Sequence, residues 1–348
     1  MVFLDYASTC PIVKFSSKQY GGFHCNPNAA YAYTERKALM DCEERIKAAI
    51  GVKGGHVLYF RCATEAIDWL HHETDSWNDA WGHSPYEHDA CTLGVEIAPE
   101  KVVAADFYIH QWVNHITGEI FDLETIRSQL PNACKLIVDA TAGFGKAKLP
   151  SGLDNIADAL FMSGHKIGCP ELSFMWLSDT LCEWLGAAKD IRNQWGLHHG
   201  SLSVASVLAL TDAVEWACEN GDRVDGHSVR LYVQMNDLLD KARIEYYDVI
   251  EHHDVLEHQM FTCSINAIRL NGINADALQQ FLASRGIYVG VGGSACSAAH
   301  DYRVLRAYGL TDDEAAEVIR VSFGDETTSS DIEALVEGIK EYKERFIV

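Results

Sequence analysis

Lys135-Leu136-Ile137-Val138-Asp139 and Ala159-Leu160-Phe161-Met162-Ser163-Gly164-His165-Lys166 are the two stretches on which the reading of this chain turns. Each opens as a short apolar run of the kind that forms a buried strand, and each ends in chemistry, an acid in one and a lysine in the other. In open α/β sheets ligands lie beyond the carboxyl ends of the strands, so Asp139 and Lys166 stand where a ligand would be met. The pair suits pyridoxal phosphate: a lysine amine can form a Schiff base, and an acid can pair with the pyridine nitrogen and keep the ring an electron sink. Taken alone, such residues are more often a solvated loop lysine and a helix-capping aspartate.

Working outward, short β-rich runs alternate with helical patterns through the first two thirds of the chain, the signature of an α/β fold with a parallel sheet covered by helices. Val57-Leu58-Tyr59-Phe60, Val102-Val103-Ala104-Ala105 and Ser173-Phe174-Met175-Trp176-Leu177 read as further strands, and Glu65 to Leu70 opens a helix. After Ser201 the pattern turns helical, from Val204 to Cys218 and again from about Gly226 to Arg243. Beyond about Tyr246, strands such as Phe261-Thr262-Cys263-Ser264-Ile265 mix with two helices announced by capping boxes, Thr311 to Glu314 and Ser330 to Glu333, as in a compact α+β domain.

At 348 residues the chain holds about two domains. Lys plus Arg number 28 against 50 Asp plus Glu, a net charge of −22, which argues against phosphate backbones or anionic membrane as partners. The start, Met1-Val2-Phe3-Leu4-Asp5, is unlike a secretory leader, and no run reaches the length of a membrane span, so a cytoplasmic location is expected. The 11 cysteines include no C-x-x-C pair, so most are read as small buried hydrophobes. Several of the 16 histidines are adjacent pairs, which point apart, and no metal is expected.

Arg61-Cys62-Ala63-Thr64 falls between a strand and a helix start, where free N–H groups and the Thr64 hydroxyl would seat a phosphate, unless Thr64 only caps the helix. The small-residue run Gly290 to Ala299 suits neither helix nor packed strand, which puts Cys296 on a loop. A thiol so placed can visit a cofactor and then deliver what it carries. Arg320 sits within Val318-Ile319-Arg320-Val321, where an unpaired charge would be costly. His88, in Pro85-Tyr86-Glu87-His88-Asp89, reads equally as part of a polar surface turn.

Taken in order, these tags resemble the cysteine desulfurases, within the class V aminotransferase group of fold-type I pyridoxal phosphate enzymes. The resemblance runs from Leu4-Asp5-Tyr6-Ala7-Ser8-Thr9-Cys10-Pro11 through Asn26-Pro27-Asn28, Ala63-Thr64-Glu65, Glu87-His88, Val113 to Gly118, Asp139-Ala140-Thr141 and Ser163-Gly164-His165-Lys166. It closes with Gly293-Ser294-Ala295-Cys296-Ser297, Leu305-Arg306-Ala307 and Ile319 to Gly324. It implies a large cofactor-binding domain over residues 12–226 with a mostly parallel seven-stranded sheet. A smaller α+β domain over 227–348, joined by the N-terminal segment 1–11, would carry the cysteine loop. It further implies Lys166 as the Schiff-base lysine, Asp139 as partner of the ring nitrogen and His88 as the stacking, proton-transferring residue. Ala63, Thr64, Ser163 and His165 would hold the phosphate, with Ser201 of a neighbouring subunit in a homodimer. His115 would lie near the ring oxygen, Asn114 and Arg320 would bind the substrate, and Cys296 would take its sulfur as a persulfide for passage to an acceptor protein.

The chain departs from that pattern at His115, where the family usually has a second asparagine, and at Ala142, where it has a glutamine. Cys169-Pro170-Glu171-Leu172 replaces the usual Gly-Pro-Lys-Gly turn, and Trp195 to His199 replaces a basic, glutamine-rich stretch. Desulfuration of L-cysteine to L-alanine is the leading reading. A pyridoxal phosphate-dependent decarboxylase, aminotransferase or lyase acting on another amino acid, or an inactive cofactor-binding scaffold, stays open at this point.

Overall fold

The structure is a computed structural model that describes residues 1–75, 80–250, 261–292 and 301–347. Its strands, in chain order, are β1 (Val2–Leu4), β2 (His56–Phe60), β3 (Trp81–His83), β4 (Val95–Glu96), β5 (Phe107–Gln111), β6 (Lys135–Asp139), β7 (Ala159–Met162), β8 (Ser173–Leu177), β9 (Tyr246–Asp248), β10 (Ile265–Leu270), β11 (Ile287–Val291) and β12 (Val318–Ser322). The chain divides into two compact units, one of residues 12–112 and 122–220, the other of 1–11, 113–121 and 221–348.

The first unit holds the seven-stranded sheet, in the order β2-β8-β7-β6-β5-β3-β4. Neighbours from β4 to β7 are parallel, and β8 runs antiparallel to both β7 and β2. The carboxyl ends of β2, β3, β5, β6 and β7 therefore share one edge of the sheet. Phe60, Ile67, Leu70, Phe107, Ile137, Phe161 and Met175 meet in one core cluster, in which helix Ala63–Asp75 contributes its apolar stripe. Val102 to Ala105 is not a strand. Val103 is 86% exposed, and the strand is Phe107–Gln111, buried at every position. A strand covered on both faces lacks alternation, and its closing His110 and Gln111 hide it among polar residues.

The second unit holds the sheet β1-β11-β12-β10-β9. Leu4, Leu270, Leu278, Ile319, Phe323, Leu335 and Ile339 lie in its core, where helices Ala275–Ala283 and Ser329–Phe346 bury their apolar sides. Residues 113–121, which the sequence reading left in the larger domain, belong here: Thr262 N–H donates to Gly118 O at 2.9 Å, and Glu119 bridges to Phe261. Gly118 has φ 79°, and a Cβ there would stand 2.3 Å from Ile265 O, so the close approach needs a glycine.

Three local expectations shift in this unit. The strand starts at Ile265 rather than Phe261, because Thr262 instead forms a turn, its Oγ1 taking Ser264 N–H at 3.1 Å and donating to Asp225 at 2.6 Å. The Thr311–Glu314 capping box is present, whereas the second box is Thr328 with Asp331. The two helices read after Ser201 are one, Val204–Lys241, contributing to both units. Gly221 and Gly226 weaken it locally, but Val214, Ala217, Val224 and Leu231 are buried on either side and keep it continuous.

Candidate active site

The larger unit assembles its site at that shared strand edge. Asp139 closes β6 and is 7% exposed. Its Oδ1 accepts Thr141 N–H at 2.8 Å, and its Oδ2 accepts the Cys91 thiol at 3.7 Å. Among the described residues no basic side chain pairs with this carboxylate. Ligand atoms of Glu87, Cys91 and Asp139 all lie within 4.8 Å of one another, so two buried carboxylates face a common space. The Thr141 hydroxyl, two residues on from Asp139, is buried with no hydrogen-bond partner among the described residues.

On the adjacent strand β7, Ser163 leads into the one-turn 3-10 helix Gly164–Ile167, which carries His165 and Lys166, both half-buried. Gly164 is dictated by packing, since a Cβ would fall 2.1 Å from Leu172 O and 2.5 Å from Cys169 O. Ser163 is buried, its Oγ 3.4 Å from Ser173 Oγ. Burial, reinforced by the charges of Lys166 and Lys146, pushes the His165 imidazole down to about 4. It is neutral at pH 7.

Helix Ala63–Asp75 begins directly after β2, and Thr64 lies exposed on its first turn. The cap is Cys62: its Sγ accepts Glu65 N–H at 3.4 Å, while the Glu65 carboxylate returns to Arg61 N–H at 2.7 Å. Thr64 is therefore not spent on capping. His88 begins the turn Asp89–Cys91, its Nδ1 accepting Ala90 N–H at 3.2 Å, which leaves the proton of a neutral ring on Nε2. Ser201 is exposed, next to Gly200 at φ 141°, and Asn28 Nδ2 donates to Gly200 O at 3.2 Å. Glu171 takes Ser17 N–H, Ser16 Oγ and Ser17 Oγ on one oxygen at 2.9–3.0 Å, so this departure from the family turn anchors an N-terminal loop.

The smaller unit carries a second set. Arg320, on β12, is 1% exposed. Its Nη2 donates to Asp5 Oδ1 at 2.7 Å and Ser8 Oγ at 2.8 Å, its Nη1 to His115 O at 2.9 Å, and its buried Nε has no partner among the described residues. Asn114 is fully buried, its Oδ1 taking the N–H groups of Ile116 and Thr117 at 2.8 and 3.0 Å, and its Nδ2 has no partner among the described residues. His115 is 8% exposed. Cys296 lies outside the described residues. Cys91 and Thr141 were missed in the sequence. Their only signal was position, Cys91 three residues after His88 and Thr141 two after Asp139.

Among the described residues no helix is long and apolar enough to cross a membrane. The family description "Aminotransferase class-V" matches residues 100–335. A protein of Mannheimia succiniciproducens named cysteine desulfurase IscS is 28% identical over 387 residues, covering 97% of this chain and 92% of its own. One of Archaeoglobus fulgidus, named cysteine desulfurase IscS 1, is 23% identical and covers 97% and 95%. Among solved structures, a NifS-like protein superposes with a TM-score of 0.82 at 18% identity over 99% of both chains. A NifS-like protein from Rickettsia africae does so with 0.79 at 17%, also over 99% of both.

Proposed function

Because the chain belongs to the aminotransferase class-V family, we propose that it is a pyridoxal 5'-phosphate-dependent cysteine desulfurase, forming L-alanine and an enzyme persulfide on Cys296. The observation that carries this reading is Asp139, a buried carboxylate at a strand end, held by Thr141 N–H and the Cys91 thiol and paired with no basic side chain among the described residues. A protonated ring nitrogen is the cation it lacks. The unpartnered Thr141 hydroxyl and the neighbouring Glu87 carboxylate fit a polar, positively charged ring edge in the same place.

Bound there, the cofactor would supply an electron sink for the bonds at the substrate's α-carbon. Asp139 keeps a proton on the ring nitrogen. Lys166 would hold the cofactor through its amine, and its Nζ would be the group that moves the substrate's α-proton. His88 presents Nε2–H as a donor on the turn that follows β3. Ala63 N–H, Thr64, Ser163 and His165 would hold the phosphate. Arg320 and Asn114 would serve the substrate's carboxylate, a task that suits the guanidinium fork.

In the sulfur step the Cys296 thiolate attacks the Sγ of cysteine. The Cβ–Sγ bond breaks, its electron pair stays with Cβ, and Cβ takes a proton to become the methyl group of alanine. The sulfur remains as Cys296–S–SH, and atoms and electrons balance without another reactant. A cytoplasmic homodimer, with Ser201 completing the neighbouring subunit's phosphate site, and a sulfur-acceptor protein complete the proposal.

The test is incubation of the purified protein with pyridoxal phosphate and L-cysteine, with mass spectrometry of the Cys296 peptide before a thiol reductant is added, and sulfide and alanine measured after it. Equal alanine and sulfide, and an added sulfur lost in Cys296→Ser, support the reading. Full turnover of a different amino acid in Cys296→Ser overturns it. That outcome would favour the second reading, a relative acting on another amino acid, for which Ala142 speaks: it is buried and offers no side-chain hydrogen bond where the family usually carries glutamine.

A further inference from the structure

We propose that Cys91 is a positioning residue for the cofactor's acid, its thiol fixing the Asp139 carboxylate so that one face stays open to the ring nitrogen. The inference rests on the cofactor reading above and adds a residue to it.

Asp139 is oriented at both oxygens. Oδ1 is held by the Thr141 backbone N–H at 2.8 Å and Oδ2 by Cys91 Sγ at 3.7 Å. Cys91 is itself immobilised: it is 1% exposed, its N–H bonds His88 O at 2.7 Å, and it packs in the cluster that contains Phe60, Ile67 and Phe161. The third group of the cluster, Glu87, accepts Gln111 N–H at 2.7 Å through Oε1. The side-chain donor facing Oδ2 is the thiol.

The chemistry of sulfur suits the task. A thiol is a weak donor, so it selects a carboxylate orientation without neutralising the charge that the ring nitrogen needs. An aliphatic side chain of the same size would fill the space but leave Oδ2 free to turn. The same short turn carries His88, whose Nδ1 bonds Ala90 N–H, so one local structure sets both the acid beneath the ring nitrogen and the histidine assigned to the ring.

The experiment compares wild type, Cys91→Val and Cys91→Ser as full-length proteins. Affinity for pyridoxal 5'-phosphate is measured by fluorescence quenching, the bound cofactor's absorbance band is recorded, and the melting temperature is taken with and without cofactor. Valine fills the site with slightly larger apolar bulk and removes the donor, while serine keeps a donor, and the cofactor-free melting temperatures report any packing cost. The expected result is about five-fold weaker cofactor binding and a displaced band in Cys91→Val, the scale of one modest hydrogen bond. Cys91→Ser should return to within about two-fold of wild type, and the cofactor-free proteins should melt alike. Equal affinity and spectrum in wild type and Cys91→Val would overturn the inference while leaving the functional reading intact. So would a valine protein that loses as much stability without cofactor as with it, since the role would then be packing. Failure of wild type to take up the cofactor at all would remove the functional reading itself.

Discussion

Replacing Asp5 by Ala tests whether Arg320 is a preorganised substrate clamp. The guanidinium is 1% exposed, and Asp5, 20% exposed, is its carboxylate partner at 2.7 Å. The contact is sealed by backbone: a Cβ on Gly290 would lie 3.0 Å from both Arg320 Nε and Asp5 Oδ1. Removing one member of a buried pair costs about 3–5 kcal/mol, and because water reaches part of Asp5 the lower end, about 3 kcal/mol, is expected for Asp5→Ala. Arg320→Met removes the charge while keeping apolar bulk, so the double variant should recover about 2 kcal/mol relative to the sum of the singles. A two-unit chain need not unfold in one step, so the assay is urea-dependent hydrogen exchange at the amides of β12, which reports the unit concerned. Losses that add to within about 0.5 kcal/mol would refute the coupling. In activity assays Asp5→Asn, which keeps an acceptor for Nη2, should raise KM for L-cysteine less than Asp5→Ala does. Identical KM values in all three would show that the pair does not aim the guanidinium at substrate.

Three further outcomes follow from the same geometry. Burial raises the Asp248 carboxyl to about 6 from 3.8, against the stabilising Tyr232 hydroxyl 2.6 Å away. Its protonated form is favoured in the folded state, so the stability it contributes is present below pH 3.8 and lost as pH rises through 6. Asp248→Asn should therefore be more stable than wild type at pH 8, by up to about 3 kcal/mol, and not at pH 4; denaturation curves at the two values that differ equally would contradict this. His165, lowered to about 4, contributes in the opposite sense: its full stability is present above 6.5 and falls as pH drops towards 4. An NMR titration of its ring with a midpoint near 6.5 would refute the burial argument. Gly164→Ala must displace the turn that carries Lys166, with an expected cost of about 3 kcal/mol and loss of cofactor uptake, whereas Gly226→Ala, with nothing within 4 Å of the new Cβ, should be neutral or slightly stabilising. Equal melting temperatures for the two alanine variants would argue against the packing at Gly164.

What the sequence by itself determined is local. Apolar runs buried in a parallel sheet announce themselves, which is why β6 and β7 were legible with Asp139 and Lys166 at their ends. The Thr311–Glu314 box was legible because side chain and backbone within four residues settle it. Phe107–Gln111 was not, because His110 and Gln111 are buried by neighbours the run cannot foresee, while the apolar Val103 lies on the surface. The tertiary structure alone decided that Gly118 draws residues 113–121 into the smaller unit. It alone set Cys91 against Asp139, 48 positions away, and Asp5 against Arg320, 315 positions away. Periodicity and propensity are properties of a few neighbouring residues. The partner of a buried charge or thiol is chosen by the packing of strands that meet only when the sheets form.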